Sequence, residues 1–147
     1  IPVCYENKYA PDIEDVSRSL KVSTSEIIKQ HTSVELEVFM MGFLPGFPYL
    51  GLLPEIFDLP RRVEPRVHVP PRSISVAARQ TTIYTIDSPG GWHLIGQTPV
   101  DFYNPNRENP VLVKAGDKVS FFAIDSKEYP AVRRALKADE YPLIMDC

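Results

Sequence analysis

The feature that most constrains this chain is its proline content, with 15 prolines among 147 residues. Soluble proteins average about 5% proline, so the chain carries roughly twice the usual share. A proline lacks the backbone N–H and clashes with the preceding helical turn, so it interrupts long helices and is excluded from the hydrogen-bonded interior of a sheet. The sequence therefore predicts short strands, short helices and many ordered turns.

Three segments have the periodicity of short amphipathic helices. The first runs over residues 12–20, just after a proline, with apolar residues spaced three and four apart. The second covers residues 23–31, where Ser23 followed by Glu26 fits a capping box. The third lies in the tail, over residues 126–136. The first two are predicted to be scaffold.

Much of the remaining chain alternates apolar and polar residues with the period of β-strands. About seven or eight strands are predicted, within residues 1–5, 33–43, 73–79, 81–86, 90–98 and 111–124, the last holding two around a Gly116-Asp117 turn. Residues 42–54 (GFLPGFPYLGLLP) are predicted as a packed loop without regular structure. Four neighbouring side chains are predicted to lie in the core: Phe39, Met40, Met41 and Phe43.

Many short strands and few helices favour a closed or nearly closed β-barrel, since closure removes exposed strand edges. The predicted fold class is mainly β with peripheral helices, in a single domain over residues 1–147. No apolar run approaches the roughly 20 residues of a membrane span, and a net charge of −3 argues against a broad nucleic-acid surface. Cys4 and Cys147 have no metal or redox spacing, so a reduced cytoplasmic setting is predicted; a disulfide between them is allowed but not indicated.

Catalytic motifs that would make the chain a self-contained hydrolase are missing. It has no phosphate-binding GxxxxGK[ST] loop, no GxSxG nucleophile elbow and no HExxH zinc motif. Its three histidines, His31, His68 and His93, are widely spaced. The sequence therefore predicts no metal site and identifies no catalytic residue.

The stretch SPGGWHLIGQTP (88–99) is the first candidate site, because it holds the only tryptophan and three of the seven glycines. Gly90 and Gly91 expose backbone N–H groups that can form an anion-binding nest, and Trp92 offers a flat apolar wall beside them. This predicts a pocket for a small planar anion. The alternative is a tight turn that feeds a strand burying Trp92. His93 would face the other way in a strand and is the weaker candidate, as a polar contact.

Arginines supply positive charge close to this stretch in the sequence. Arg66 and Arg72 flank a proline-stiffened strand, where a guanidinium could hold a carboxylate or phosphate through two hydrogen bonds. Arg61 and Arg62 fit a solvated turn better.

Gln80 and Tyr84 are the polar candidates on the predicted strands. Their separation of four residues is even, so they share a face of an extended chain. They could present polar tips in the mouth of the barrel, or they could satisfy a cross-strand hydrogen bond.

Several longer motifs occur in a fixed order along the chain. They are GFLPGFPYLG (42–51), LPRR followed by PR (59–66), VP-x2-S (69–73), RQTTIYTIDSPGGWHLIGQTP (79–99) and AGD-x-V-x-F (115–121). In these motifs the chain resembles the KipI family, which includes the B subunit of bacterial 5-oxoprolinase and the carboxyltransferase domain also called allophanate hydrolase subunit 1. The resemblance runs from residue 1 to about residue 124. It implies a cyclophilin-like β-barrel that is the C-terminal domain of a longer protein with an additional N-terminal domain.

The resemblance implies two different activities. As the B subunit, the protein would join 5-oxoprolinase subunits A and C in the ATP-dependent hydrolysis of 5-oxoproline, a small carboxylate, to glutamate. ATP would be a cosubstrate of the complex, since no nucleotide motif is visible in this chain. As the KipI type, the protein would instead bind and inhibit a sporulation histidine kinase, with Phe47, Leu50 and Leu52 as anchors.

The resemblance also implies a set of pocket-lining positions. They are Gly46, Phe47, Tyr49, Arg66, Gln80, Tyr84, Gly90, Gly91, Trp92 and, more weakly, His93. In the mechanism that follows, the glycine amides and Arg66 orient the carboxylate, while Trp92 and Phe47 exclude water.

Four positions depart from the family pattern. Arg72, Ala78 and Thr82 stand where small residues or glycine are usual, and Gln97 stands where a basic residue is frequent. These departures would narrow or reshape the pocket. Arg72 would in addition supply an anion contact.

Overall fold

A computed structural model describes residues 1–143 of the chain. They form three α-helices, α1 (Ile13–Leu20), α2 (Thr24–Thr32) and α3 (Glu128–Lys137), and two short 3-10 helices at Asn7–Tyr9 and Glu55–Phe57. The ten strands are β1 (Pro2–Cys4), β2 (Leu36–Met41), β3 (Pro48–Gly51), β4 (Arg66–Val69), β5 (Ser73–Ala77), β6 (Gln80–Ile83), β7 (Ser88–Gly90), β8 (His93–Gln97), β9 (Lys118–Val119) and β10 (Phe122–Ile124). Cys4 is buried with a free thiol, and Cys147 lies outside the described residues.

Eight of the strands form one curled sheet in the order β10-β1-β8-β5-β6-β3-β2-β9. Neighbouring strands are antiparallel except β1 and β10, which are parallel. The two outer strands are consecutive parts of the segment 118–124, whose start pairs with β2 and whose end pairs with β1. One segment therefore connects the two edges of the sheet, which curls into a half-barrel. The predicted fold class, mainly β with peripheral helices around a barrel, is confirmed.

The barrel interior is filled by large apolar side chains that water does not reach. They include Ile27, Leu36, Leu50, Leu53, Phe57, Ile74, Ile83, Ile95 and Phe102. Burying one such side chain contributes about 1.5–3 kcal/mol to the free energy of unfolding. Outside the barrel, β4 and β7 pair in a separate two-stranded sheet that sets Arg66 opposite Gly90.

The three predicted helices are confirmed. α1 and α2 bury apolar residues of one face, as their periodicity predicted. At the start of α2 the Ser23 hydroxyl accepts a hydrogen bond from the Glu26 N–H at 3.1 Å, which is one half of the predicted capping box. α3 is anchored by Tyr129, whose hydroxyl donates to the Thr98 carbonyl at 2.9 Å.

The segment 42–54 is packed, as predicted, with Phe47 and Leu50 buried, but it is not entirely without regular structure. Part of it forms β3, which pairs with both β2 and β6. Pro48 is the first residue of this strand, a position where a missing N–H is tolerated. The prediction of no regular structure was wrong because proline is excluded only where the hydrogen-bond ladder requires its N–H.

Four side chains around the start of this segment were predicted to lie in the core, and the prediction is wrong for three of them. Phe39, Met40 and Phe43 are 46%, 53% and 62% exposed. A β-bulge between Val38 and Met40 breaks the alternation of β2, so two successive side chains face outward. Met41 is partly buried and packs against the core, in agreement with the prediction.

Strand positions also differ around the two predicted turns. Residues 111–114 form no strand, and an isolated bridge links Val111 to Tyr103. The turn at Gly116 is present, with a φ of +94° that favours glycine. The second difference is β7, a strand at the position where a tight turn was one of the two alternatives.

His31 on α2 is fully buried and ties this helix to the barrel. The Tyr5 hydroxyl donates to its Nδ1 at 2.6 Å, and its Nε2 lies 3.1 Å from the Thr81 hydroxyl oxygen. Because that hydroxyl donates to the Ser75 carbonyl at 2.8 Å, it accepts from the ring, which places the single ring proton on Nε2. Burial lowers the pKa of His31 to about 3. The ring is therefore neutral in the folded protein at neutral pH.

We expect protonation of His31 to destabilise the protein between pH 7 and pH 5. The His31 pKa is about 3 when folded and about 6.5 when unfolded, so below pH 6.5 the unfolded state takes up the proton first. Stability then falls by about 1.4 kcal/mol per pH unit. Urea denaturation at pH 7 and at pH 5 measures this decrease in the free energy of unfolding. The decrease should be about 2 kcal/mol smaller in His31→Gln than in the wild type.

The control for this measurement is His68→Gln, which replaces an exposed histidine. It should keep the wild-type dependence on pH. Identical pH dependence in the wild type and both variants would contradict the prediction.

Candidate functional site

Motifs that are far apart in the sequence meet in one aromatic cluster. Its rings are those of Phe43, Phe47, Tyr49, Tyr84 and Trp92. Ring centroids lie 5.1 Å apart for Phe47–Tyr49 and for Phe47–Tyr84, and 6.1 Å apart for Tyr49–Trp92. The contacts are edge-to-face, which aromatic pairs favour. The structure thus brings together four of the predicted site residues and adds Phe43.

The aromatic cluster has a buried base and an open rim. Phe47 and Tyr84 are each 3% exposed, whereas Tyr49 and Trp92 are half-buried and Phe43 is mostly exposed. Trp92 is therefore not buried in the way that the turn alternative predicted. A ligand could lie against Trp92, Tyr49 and Phe43, with the other two rings as the support beneath them.

Gly90 allows Tyr84 to pack close to β7. A β-carbon on Gly90 would collide with the Tyr84 hydroxyl, whereas a β-carbon on Gly91 would make only an ordinary contact with Pro65, at 3.6 Å. The hydroxyl end of Tyr84 therefore lies directly against the backbone of residue 90. Only glycine fits this close approach.

The surroundings of the Tyr84 hydroxyl raise its pKa. Burial raises the pKa of Tyr84 and the neighbouring Tyr49 raises it further, while the charges of Arg61 and Arg66 act in the opposite direction. The phenol stays protonated at neutral pH because the raising effects dominate. It is therefore a hydrogen-bond donor at the base of the cluster.

The double glycine forms neither the turn nor the nest predicted from the sequence. Residues Ser88–Gly90 are the extended strand β7, and neither Gly90 nor Gly91 has a positive φ. An anion nest needs a left-handed residue in such a pair. Instead, the Gly91 carbonyl accepts the N–H of Arg62 at 2.7 Å. The glycines hold the preceding arginine-rich segment against the barrel.

A buried carboxylate, that of Asp12, holds two arginines of this segment. Both Nη atoms of Arg66 donate to the carboxylate oxygens, at 2.6 and 2.5 Å, and Nη1 of Arg62 donates to Oδ1 at 2.7 Å. The Leu94 N–H donates to Oδ2 at 2.7 Å. We call these four residues the Asp12 clamp. The clamp joins the start of α1, the segment 60–66 and β8.

Asp12 stays ionised although its side chain is 3% exposed. Burial alone would raise its pKa, but the hydrogen bonds from Arg66 and Leu94 and the charges of Arg66 and Arg62 hold the pKa below its usual value. A buried charge is stable only while its partners remain in place. The clamp therefore fixes the position of both guanidinium groups.

This geometry corrects the predictions for two arginines. Arg66 makes the two-bond contact that was predicted, but its partner is Asp12 rather than a ligand. Arg62 does not lie in a solvated turn, because its backbone bond to Gly91 holds it where its side chain reaches Asp12. Arg61 is exposed, as predicted.

Arg72 lies beside α3 and has an internal partner. Its Nη1 is 3.5 Å from Oδ1 of Asp101, and Oδ2 of the same carboxylate is 2.9 Å from Nη1 of Arg133. The predicted anion contact of Arg72 is therefore taken by Asp101.

Three other predicted positions are also separated from the cluster rim. Gln80 begins β6 and Tyr84 follows its end, so at about 3.3 Å per residue they lie roughly 13 Å apart and form no shared polar mouth. The Nε2–H of His93 donates to the Pro60 carbonyl at 2.8 Å. Gly46 is buried against Tyr103 with a φ of +69°, so it shapes the loop before Phe47.

Sequence reasoning missed Asp12, which it assigned only to the start of a helix. Asp12 is separated from Arg62 by 50 positions and from Arg66 by 54. The only available signal was the charge of a lone carboxylate and of a distant basic segment. That signal does not specify a pairing.

The anchors predicted for a kinase inhibitor are not available on the surface. Phe47 and Leu50 are buried, and Leu52 alone of the three is mostly exposed. Their prediction as a set of contact residues is therefore wrong.

Two surface depressions lie outside the aromatic cluster. One, of about 360 Å³, is lined by Asp12, Asp15, Arg62, Val63, Glu64 and His93. The other, of about 500 Å³, is lined by Tyr5, Glu6, Asn7, Ala10, Pro11, Ile13, Glu14, Thr24 and Ile28. Each contains two or more carboxylates, which disfavour a small anion.

Residues 1–143 contain no group of three His, Cys, Asp or Glu side chains placed to hold a metal ion. No helix within the same range has the length and hydropathy needed to cross a membrane.

Residues 1–113 match the family described as carboxyltransferase domain, subdomain C and D, and the chain belongs to this family. The resemblance stated from the motifs is confirmed.

Known proteins support the same assignment. The chain is 43% identical over 133 residues to the B subunit of 5-oxoprolinase from Bacillus subtilis (strain 168), a match that covers 90% of this chain and 55% of that protein. It therefore spans about half the length of this curated relative. A conserved uncharacterized protein from Pyrococcus horikoshii has a similar structure, with a TM-score of 0.83 and 43% identity over 88% of this chain and 60% of that one. The urea amidolyase of K. lactis shares the fold alone, with a TM-score of 0.75 and 15% identity over 95% of this chain and 10% of that one.

We expect Gly90→Ala to disturb the aromatic cluster and Gly91→Ala to leave it intact. The added methyl at residue 90 must displace the Tyr84 ring, at a cost of about 1–3 kcal/mol, whereas residue 91 has room for it. Urea denaturation measures the loss in the free energy of unfolding, and a crystal structure of the variant shows whether the Tyr84 ring has moved. Equal stability of the two variants would contradict the close approach described here.

We expect Asp12→Asn to lower the free energy of unfolding by about 2–4 kcal/mol, because it leaves two half-buried guanidinium groups without a counter-charge. The matched control is Asp15→Asn on the same helix, whose exposed ion pair with Arg18 contributes at most about 1 kcal/mol. A loss of similar size in the two variants, measured by urea denaturation, would show that the clamp is not stabilising.

Proposed function

We propose that this chain is part of a 5-oxoprolinase B subunit, which contributes with partner subunits to the ATP-dependent hydrolysis of 5-oxoproline to glutamate. One observation carries the proposal: a chain 43% identical to such a subunit gathers its distant motifs into one half-open aromatic cluster. The proposal covers activity, substrate and partners.

The substrate suits the chemistry of the cluster. 5-oxoproline is a small, nearly flat lactam ring with one carboxylate. Such a ring can be covered by aromatic side chains, while the carboxylate needs a cation or N–H donors beside them. Tyr49 and Trp92 offer half-buried rings, and the segment 60–66 runs next to Gly91 and carries three arginines.

The reaction opens the lactam. Water adds to the ring carbonyl, the C–N bond breaks, and the nitrogen leaves as the amino group of glutamate, while hydrolysis of ATP to ADP and phosphate drives the reaction. Residues of this chain would hold and orient the lactam and keep bulk water away from it, with Trp92 as the main wall.

Partner subunits would supply the rest of the site. The sequence identifies no catalytic residue and no nucleotide motif in this chain, so subunits A and C are proposed to bind ATP and to complete the chemistry. A cytoplasmic location belongs to the same proposal. The kinase inhibitor stays an alternative prediction, and the burial of Phe47 and Leu50 does not favour it.

We expect Trp92→Ala to reduce kcat/KM for 5-oxoproline by at least about tenfold in the complete protein assembled with its partner subunits, because it removes the open aromatic wall. Val63→Ala, which truncates a fully exposed side chain, is the control and should leave kcat/KM unchanged. Absence of ATP-dependent turnover by the wild type in every combination of subunits would overturn the proposal.

A further inference from the structure

Of the three arginines on the segment 60–66, only Arg61 has no side-chain partner within residues 1–143. Arg62 and Arg66 are fixed by the Asp12 clamp. Arg61 is exposed, and its side chain makes no hydrogen bond or ion pair with any residue in the range 1–143. A guanidinium with all of its donors free is the group best able to bind a carboxylate through two parallel hydrogen bonds.

The backbone on both sides of Arg61 is held in place. The Pro60 carbonyl accepts from the ring of His93 at 2.8 Å, and the Arg62 N–H donates to the Gly91 carbonyl at 2.7 Å. Residues 58–62 run without a helix or turn between these bonds. Arg61 is therefore fixed at its backbone beside the stretch that carries Trp92, although its side chain is free.

The charges around Arg61 favour an anion on the cluster side of this segment. Arg62 faces a depression that also contains Asp15 and Glu64, whose negative charges repel an anion. On the other side, burial and the neighbouring Tyr49 raise the pKa of Tyr84, while the charges of Arg61 and Arg66 act to lower it, so both guanidinium groups lie close enough to act on the hydroxyl at the base of the cluster. Arg66 has both of its Nη atoms on the Asp12 carboxylate, so Arg61 is the arginine of this pair whose hydrogen-bond donors remain free within residues 1–143.

We propose that Arg61 binds the carboxylate of the substrate at the rim of the aromatic cluster, and that the Asp12 clamp positions it by holding its neighbour Arg62. This inference rests on the proposed function and names the residue that recognises the acid group. It takes the place of Arg66, whose Nη atoms are both bonded to Asp12, and of Arg72, which lies beside α3 and pairs with Asp101. Arg61 is a binding residue, and Asp12 acts through the segment as a positioning residue.

The experiment measures steady-state 5-oxoproline turnover with Arg61→Gln and Arg61→Lys in the complete protein assembled with its partner subunits. The control is Arg134→Gln, which replaces another exposed arginine without an ion pair to any described residue, on α3. Arg61→Gln should raise KM about tenfold or more with kcat changed less than about threefold, because a charge-assisted two-bond contact is lost. Arg61→Lys should recover part of the loss, since it restores the charge but not the fork geometry.

The outcomes separate this inference from the function on which it rests. An unchanged KM in Arg61→Gln, with a wild type that turns over 5-oxoproline, overturns the role of Arg61 and leaves the function standing. If no combination of subunits turns over 5-oxoproline, titration calorimetry of 5-oxoproline into the complete protein tests whether Arg61 contributes to binding. Binding by the wild type that is weakened about tenfold in Arg61→Gln supports the inference, and no binding, or equal binding, overturns it.

Discussion

The pairing of the buried Asp12 carboxylate with Arg66 and Arg62 is the interaction on which the candidate site depends. It connects three parts of the chain: the start of α1, the segment 60–66 and β8. A carboxylate in this position is stable only with its full set of donors, so the segment has one favourable position. That position places the segment beside Gly91 and the aromatic cluster.

The cluster itself depends on one close approach. Tyr84 can lie over Gly90 because that residue has no side chain, and β7 can lie there because it pairs with β4. The barrel supplies the rigid support beneath: β3 carries Tyr49, β6 leads into Tyr84, and the segment 118–124 connects the two edges of the sheet. The half-open rim is thus built on fixed elements, which is the arrangement expected of a site that must orient a small ligand.

Predictions from the sequence succeeded where the signal was local. The three helices follow from apolar spacing and from the cap at Ser23, which involve neighbours within one or two turns. The barrel follows from many short alternating strands, and the motifs carry the family resemblance. Phe39 and Met40 were misplaced because a bulge changes which face a residue occupies without changing its hydrophobicity. Pro48 was predicted to exclude a strand. It is tolerated as the first residue of β3 because the hydrogen-bond ladder requires no N–H at that position.

By itself the sequence determined the helices, the mainly β barrel, the family and most members of the aromatic cluster, because periodicity, capping and motif order are properties of neighbouring residues. Only the tertiary structure decided which arginines are free. From the sequence, Arg61, Arg62 and Arg66 cannot be distinguished by charge. Asp12 is 50 positions away from Arg62 and 54 positions away from Arg66, the two arginines that it binds. Pairing at that distance is set by how the barrel brings α1 and the segment 60–66 together, and no local pattern encodes it.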